Sequence, residues 1–172
     1  MTPLPGIRNL TVVGTGLLGT AVGLSARQAR LRTVAYDSNH AHATRAMQRG
    51  AFDAAEEDLA KAVAGADLIV LAVPIGVARD VLKSVADAAP ESALITDTLS
   101  TKSSICAAAD EFGLAARFVG AHPMAGSHRS GPDAATPDLL PGATCHLIDA
   151  PAIDKVEAFW SAVGCRVERW PV

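Results

Sequence analysis

The sequence predicts an α/β protein with a doubly wound, mainly parallel sheet, and three observations carry that expectation. Short apolar runs alternate with helical patterns along the chain, the arrangement that sets parallel strands between layers of helix. The run at 68–73 is continuously apolar, as a strand buried on both faces must be. The stretch GTGLLG closes the first apolar run and opens a helix of small residues, the phosphate-binding turn of Rossmann-type folds. Residues 1–172 read as one such domain.

Taken in order, residues 7–13 form the first strand, and a helix of small residues follows the glycines to about 29. Residues 33–36 form the second strand, closed by Asp37. The next helix runs to Arg49 and stops at Gly50, the usual glycine just past a helix end. A short helix is expected over 56–64. The strand at 68–73 is broken by Pro74. Val77, Val81, Leu82 and Val85 then repeat at helical spacing up to Pro90. Residues 93–95 start a strand that ends at Asp97. Ser100 or Thr101 is placed to cap a helix that stops at Gly113. One strand is expected over 118–121 and another over 144–148. Ile153, Val156, Phe159, Trp160 and Val163 mark one face of a last helix. Residues 166–170 read as a final edge strand.

Between the last two strand pairs lies a loop too long for an ordinary connection, and such loops are functional or disordered. Residues 122–131 read as an ordered active-site turn, and 132–142 as a mobile flap or as a surface that meets a further helical domain.

Composition limits the function. Hydrophobic residues make up 49% and charged residues 19%, which suits a globular core and not a disordered chain. The net charge is −3 without a basic block, so neither nucleic acid nor an anionic membrane is an expected partner. The opening MTPLPGIRNL lacks the charged and apolar segments of a secretory signal, and no run is long enough for a membrane span. Cys106, Cys145 and Cys165 fit no zinc spacing or disulfide framework. No metal site is expected, the cysteines read as small core fillers, and a reducing cytoplasm is the expected location.

Ligands of doubly wound sheets bind beyond the carboxyl ends of the strands. The residues that follow the strands therefore carry the chemical reading: Gly14, Asp37, Pro74, Asp97 and His122. Gly14 permits the tight turn, Gly16 lets a pyrophosphate approach the backbone, and Gly19 lets the helix pack on the strand. The helix N-terminus offers unpaired N–H groups to phosphates. Leu17 and Leu18 in the turn, and Val73 with Pro74, complete the expected cofactor wall. Asp37 ends the second strand, where a carboxylate accepts the adenosine ribose hydroxyls and repels a 2′-phosphate. No Lys or Arg follows at once, so NAD is expected over NADP.

At the other end, Ser100 either caps the next helix or faces the nicotinamide, and Lys102 is either solvated or turned to the same site. His122 is the sharper candidate. A neutral imidazole can take a proton from a hydroxyl while the carbon loses hydride. Pro123 biases His122 to an extended backbone at the strand end. His40 and His42, on a surface helix, and His146, within a strand, are weaker candidates.

The set VVGTGLLGTAVGLS, YDSN, LAVP, ITDTLSTK and GAHPMAGSHRSG resembles the prephenate/arogenate dehydrogenase family of tyrosine biosynthesis, part of aromatic amino acid biosynthesis. HPMAGS is its most specific piece, and the D-x-x-S-x-K pattern supports it. The resemblance implies an NAD-dependent oxidoreductase that oxidises the ring carbinol of a cyclohexadienyl substrate as its ring carboxylate leaves as carbon dioxide. It implies that His122 meets the substrate hydroxyl and that Ser100 lies beside His122 and the nicotinamide, as the catalytic pair. Lys102, Ser127 and His128 are the expected substrate contacts.

Two departures stand out. His128 follows Ser127 where many family members carry Glu, which leaves prephenate, arogenate or an amino-substituted analogue open. The family's C-terminal helical domain, which supplies dimer contacts, is expected to be absent from this chain. A homodimer is expected where that domain is present. The alternatives are a non-catalytic NAD-binding or regulatory module, and a dehydrogenase of another small hydroxy acid.

Overall fold

The computed structural model describes Leu4 and residues 6–171, so the ends of the expected 1–172 domain and most of the MTPLP opening lie outside the described residues. Six strands form one wholly parallel sheet: β1 (Asn9–Val13), β2 (Arg32–Tyr36), β3 (Ala54–Glu56), β4 (Leu68–Leu71), β5 (Leu94–Asp97) and β6 (Phe118–Val119). Their order is β3-β2-β1-β4-β5-β6, so the chain reverses direction across the sheet between β1 and β4. The helices are α1 (Leu17–Gln28), α2 (His40–Gln48), α3 (Leu59–Val63), α4 (Ile75–Ala88), α5 (Ser103–Glu111) and α6 (Ile153–Ala162).

Alternation along the central strands sorts their side chains into two cores. Leu10, Val12, Leu68 and Val70 pack on one face with Ala21, Val22 and Ala26 of α1. Val13, Ile69 and Leu71 pack on the other with Leu82 and Val85 of α4 and Ile105 of α5. Thr11 is buried between them and gives its hydroxyl to the Ala62 carbonyl at 2.7 Å, which satisfies a polar group in an apolar strand.

Several boundaries differ from the sequence reading. The expected helix at 56–64 begins later, because residues up to Glu56 pair with β2 as β3, and Asp58 caps α3 through a bond from Lys61 N–H. At the sheet edge, β3 is only Ala-Ala-Glu, too short and small to give an apolar run to detect. Neither Ser100 nor Thr101 caps α5: its N-cap is Lys102, with no side-chain capping bond.

The strand expected at 118–121 is two strands. At Gly120 the chain leaves the parallel sheet, and β7 (Ala121–Pro123) joins β8 (Thr144–Ile148) and β9 (Arg166–Trp170) in a second sheet, with β9 at its edge. A Cβ on Gly120 would lie 3.1 Å from Cys106 Sγ and 3.3 Å from Lys102 Cδ, so the turn passes through a space that suits glycine. β7 runs antiparallel to β8, and β9 runs parallel to it. Cys145 and Leu147 of β8 pack with Val156, Phe159 and Trp160 in the apolar core, as do Ala135 and Leu140 of the long loop.

The segment 132–142 is therefore not a mobile flap. It opens with a 3-10 turn (Pro132–Ala134), and Pro132, Ala135 and Leu140 are buried. Arg49, the C-cap of α2, donates to the carbonyls of Pro132 and Ala135, and Arg45 of α2 pairs with Asp133 at 2.7 Å.

Candidate active site

A cleft of about 920 Å³ opens at the carboxyl ends of β1, β2, β4 and β5. That volume lies within the range of small-molecule and cofactor sites. Gly14, Gly16, Leu17, Leu18 and Asp37 line one part of it. Val73, Pro74, Ser100, His122 and Ser127 also reach its wall. Gly19, Lys102 and His128 are not on the wall, and each has a different place.

The glycine turn has the shape that a dinucleotide needs. Gly14 has φ +94°, and a Cβ there would lie 2.4 Å from the Ala72 carbonyl oxygen. Gly19 lies behind the wall, where a Cβ would meet the Gly14 carbonyl oxygen at 1.9 Å. Gly16 differs: a Cβ there would meet nothing within 4 Å, so the space over it stays open to a ligand. Gly16 is also the N-cap of α1, and no side chain caps that helix. Its first-turn N–H groups thus border the cleft without a side-chain acceptor, which suits a pyrophosphate.

Asp37 holds this turn in place. Its Oδ2 accepts Thr15 N–H at 2.7 Å and the Thr15 hydroxyl at 2.9 Å, and its Oδ1 accepts Asn39 N–H at 2.9 Å. A carboxylate offers about four acceptor directions, so room for a ribose hydroxyl remains.

At the chemical end, Asp97 is completely buried. It accepts Ala121 N–H at 2.9 Å, Leu99 N–H at 3.0 Å and the Lys102 ammonium. Lys102 also donates to the Ala121 carbonyl at 2.6 Å. Burial pushes the Asp97 carboxyl above its ordinary value, against the pull of Lys102 and the two N–H donors. Lys102, expected at the substrate, is thus engaged in fixing the residue before His122.

His122 is half-buried. Burial first, then the charges of Lys102 and His146, hold its imidazole below the ordinary value, so the ring stays neutral and able to accept a proton near pH 7. Ser127 reaches the wall and accepts Arg129 N–H at 3.1 Å, which turns the loop, while His128 is exposed beside it.

Arg129, Ser130 and Gly131, inside the expected active-site turn but not singled out, also line the cleft, as does His42, which the sequence placed on a surface helix as a weaker candidate. The tether of Pro132–Ala134 to α2 keeps the loop on this side of the molecule. The GSHRSG stretch contains the first three, while nothing local marked His42 as a wall residue or Thr15 as the partner of Asp37. Among the described residues no group of three or more His, Cys, Asp or Glu could hold a metal ion. No helix among them is long and apolar enough to cross a membrane.

Comparison with known proteins bears on this geometry. Residues 20–169 match the family model of the prephenate dehydrogenase nucleotide-binding domain. The chain is 37% identical over 141 residues to a prephenate dehydrogenase of Lactococcus lactis, which covers 80% of this chain and 40% of that protein. It is 26% identical over 167 residues to a cyclohexadienyl dehydrogenase of Zymomonas mobilis, covering 93% of this chain and 57% of that one. In three dimensions it resembles the prephenate dehydrogenase of Aquifex aeolicus in complex with hydroxyphenyl propionate and NAD+, with a TM-score of 0.88 and 25% identity. That match covers 96% of this chain and 60% of the other. The chain thus spans 40% of the Lactococcus lactis relative and 57% of the Zymomonas mobilis relative.

Proposed function

The chain belongs to the prephenate dehydrogenase family, by a match to its nucleotide-binding domain over residues 20–169, and from that premise we propose that it is the NAD-binding and proton-accepting part of a cyclohexadienyl dehydrogenase. The reaction is the oxidative decarboxylation of prephenate to 4-hydroxyphenylpyruvate, or of arogenate to tyrosine. One observation carries this reading: Gly16, Asp37, Ser100 and His122 share a single cleft.

Bound in that cleft, NAD supplies the acceptor for a hydride. The open space over Gly16 and the uncapped start of α1 receive the pyrophosphate. Asp37 accepts the adenosine ribose hydroxyls and disfavours a 2′-phosphate, which selects NAD. His122 accepts the proton of the ring hydroxyl as the carbinol C–H bond breaks, so hydride and proton leave together as one two-electron oxidation. The bond to the ring carboxylate then breaks, carbon dioxide leaves, its electron pair completes the aromatic ring as a phenolate, and the proton held on His122 returns to that oxygen. Ser100 stands beside this proton transfer, and Ser127 lies on the substrate side. The longer protein acts as a homodimer in the cytoplasm on this reading.

The test has two parts. Calorimetric titration with NAD should show binding by this chain, retained in His122→Asn. NADH formation from prephenate and from arogenate is then followed for the chain alone and fused to the remaining segment of a relative. Turnover that needs His122 supports the reading. NAD binding with no turnover in either form would favour a non-catalytic NAD-binding module.

A further inference from the structure

His122 in β7 stands directly opposite His146 in β8 across an antiparallel pair, and opposed residues project to the same face of a sheet. Their rings meet edge to face, with centroids 6.4 Å apart and planes at 66°. His146 is fixed from its other sides by β9. The parallel register sets Glu168 beside it, and His146 Nε2 lies 3.3 Å from Glu168 Oε2. The Trp170 ring stacks on the imidazole with centroids 4.2 Å apart and planes at 29°. The His146 side chain is only 18% exposed, so this packing leaves it little freedom.

We propose that His146, oriented by Glu168 and Trp170, is a positioning residue that sets the ring orientation and proton affinity of His122. The proposal rests on the reading of His122 as the proton acceptor. A proton on His146 disfavours a second proton on a ring 6.4 Å away. Even with the full screening of water, that repulsion shifts a titration by about half a pH unit.

The other groups near His122 act in known directions. Lys102, the N-cap of α5, lowers the proton affinity of His122, as His146 does. Asp97 of β5 partly neutralises Lys102 through their ion pair. The thiol of Cys145, next to His146 in β8, is pushed far up and stays uncharged, and the hydrogen bond with Cys165 is the first cause. Glu168 of β9 is the carboxylate nearest His146, 3.3 Å from its Nε2. Arg169 of β9 is taken up by Asp154 and Glu157 of α6.

The experiment follows the His122 imidazole by NMR in the chain itself, against pH, in the wild type and in His146→Phe. Phenylalanine keeps the edge contact and the stack on Trp170 but carries no charge. The His122 midpoint should rise by about half a pH unit, and NAD affinity should hold. If the Phe variant does not fold, His146→Gln is read the same way, since it also lacks charge and keeps a hydrogen bond to Glu168. An unchanged His122 midpoint in a folded variant would overturn the proposal. The midpoint is read without turnover, so failure here is distinct from failure of the catalytic reading, which the His122→Asn turnover test decides.

Discussion

Asp97 and Lys102 form an ion pair that grips both backbone polar groups of one residue: Asp97 accepts the Ala121 N–H, and Lys102 donates to the Ala121 carbonyl. Two side chains thus do what a neighbouring strand would do in a continued ladder. They do it where the chain passes from the parallel sheet into the second one, one residue before His122. The pair links the D-x-x-S-x-K segment to the placing of the histidine.

Lys102→Met should therefore act on stability before it acts on binding. It leaves the Asp97 carboxylate buried without its cation, a change that typically costs roughly 3–5 kcal/mol. Urea denaturation of the chain should show a loss of that order. Asp97→Asn combined with Lys102→Met should recover part of it, because the uncompensated charge is gone. A single variant as stable as wild type would mean that the pair does not hold this peptide.

The glycine turn predicts a contrast between two neighbours. Gly19→Ala forces a Cβ to within 1.9 Å of the Gly14 carbonyl oxygen, and no flexible side chain is there to give way. It should melt well below wild type. Gly16→Ala meets nothing within 4 Å, so its melting temperature should hold. The new methyl instead occupies the space left for the pyrophosphate, and NAD affinity should fall by about tenfold or more, roughly the worth of one good charge-assisted hydrogen bond. Calorimetry and thermal melts on both variants separate the two roles.

The lowered proton affinity of His122 also has a consequence for stability. The folded chain takes up this proton at a lower pH than the unfolded chain, whose imidazole titrates near the ordinary 6.5. Between those two values the unfolded state holds more protons, so stability rises with pH across the window and is lost as pH falls through it. Denaturation midpoints from pH 7 to pH 5 should show this slope, and His122→Asn should flatten it. An unchanged slope in the variant would assign the effect to another group.

These predictions mark where local sequence stops informing. The order of strands around GTGLLG was legible because buried parallel strands read as apolar runs and the turn needs its glycines at fixed spacing. Asp37, Ser100 and His122 were legible as residues after strands, and they do share a cleft. The roles of Lys102 and His146 were not. Each depends on a partner brought in by tertiary structure: Ala121 for Lys102, and the β7–β8 register for His146. The flap at 132–142 was misread because its proline and glycine content suggested freedom. The buried Pro132, Ala135 and Leu140, with Arg45 of α2 and Arg49 at its C-cap, decide otherwise.

Cofactor choice offers the last test, and it turns on the double duty of Asp37. Its carboxylate faces the cleft and also binds Thr15 through both N–H and hydroxyl. Asp37→Ala should weaken NAD binding twice over, by losing the ribose acceptor and by loosening the glycine turn. Asp37→Asn keeps one acceptor oxygen, which Thr15 fills, can offer its amide N–H to a ribose hydroxyl oxygen, and removes the negative charge. It should therefore bind NAD only modestly less well and gain affinity for NADP, because the repulsion of a 2′-phosphate is lifted. Dissociation constants for both cofactors, measured at one ionic strength, decide it. A wild-type chain that binds NAD and NADP equally would show that the carboxylate serves only to hold the turn.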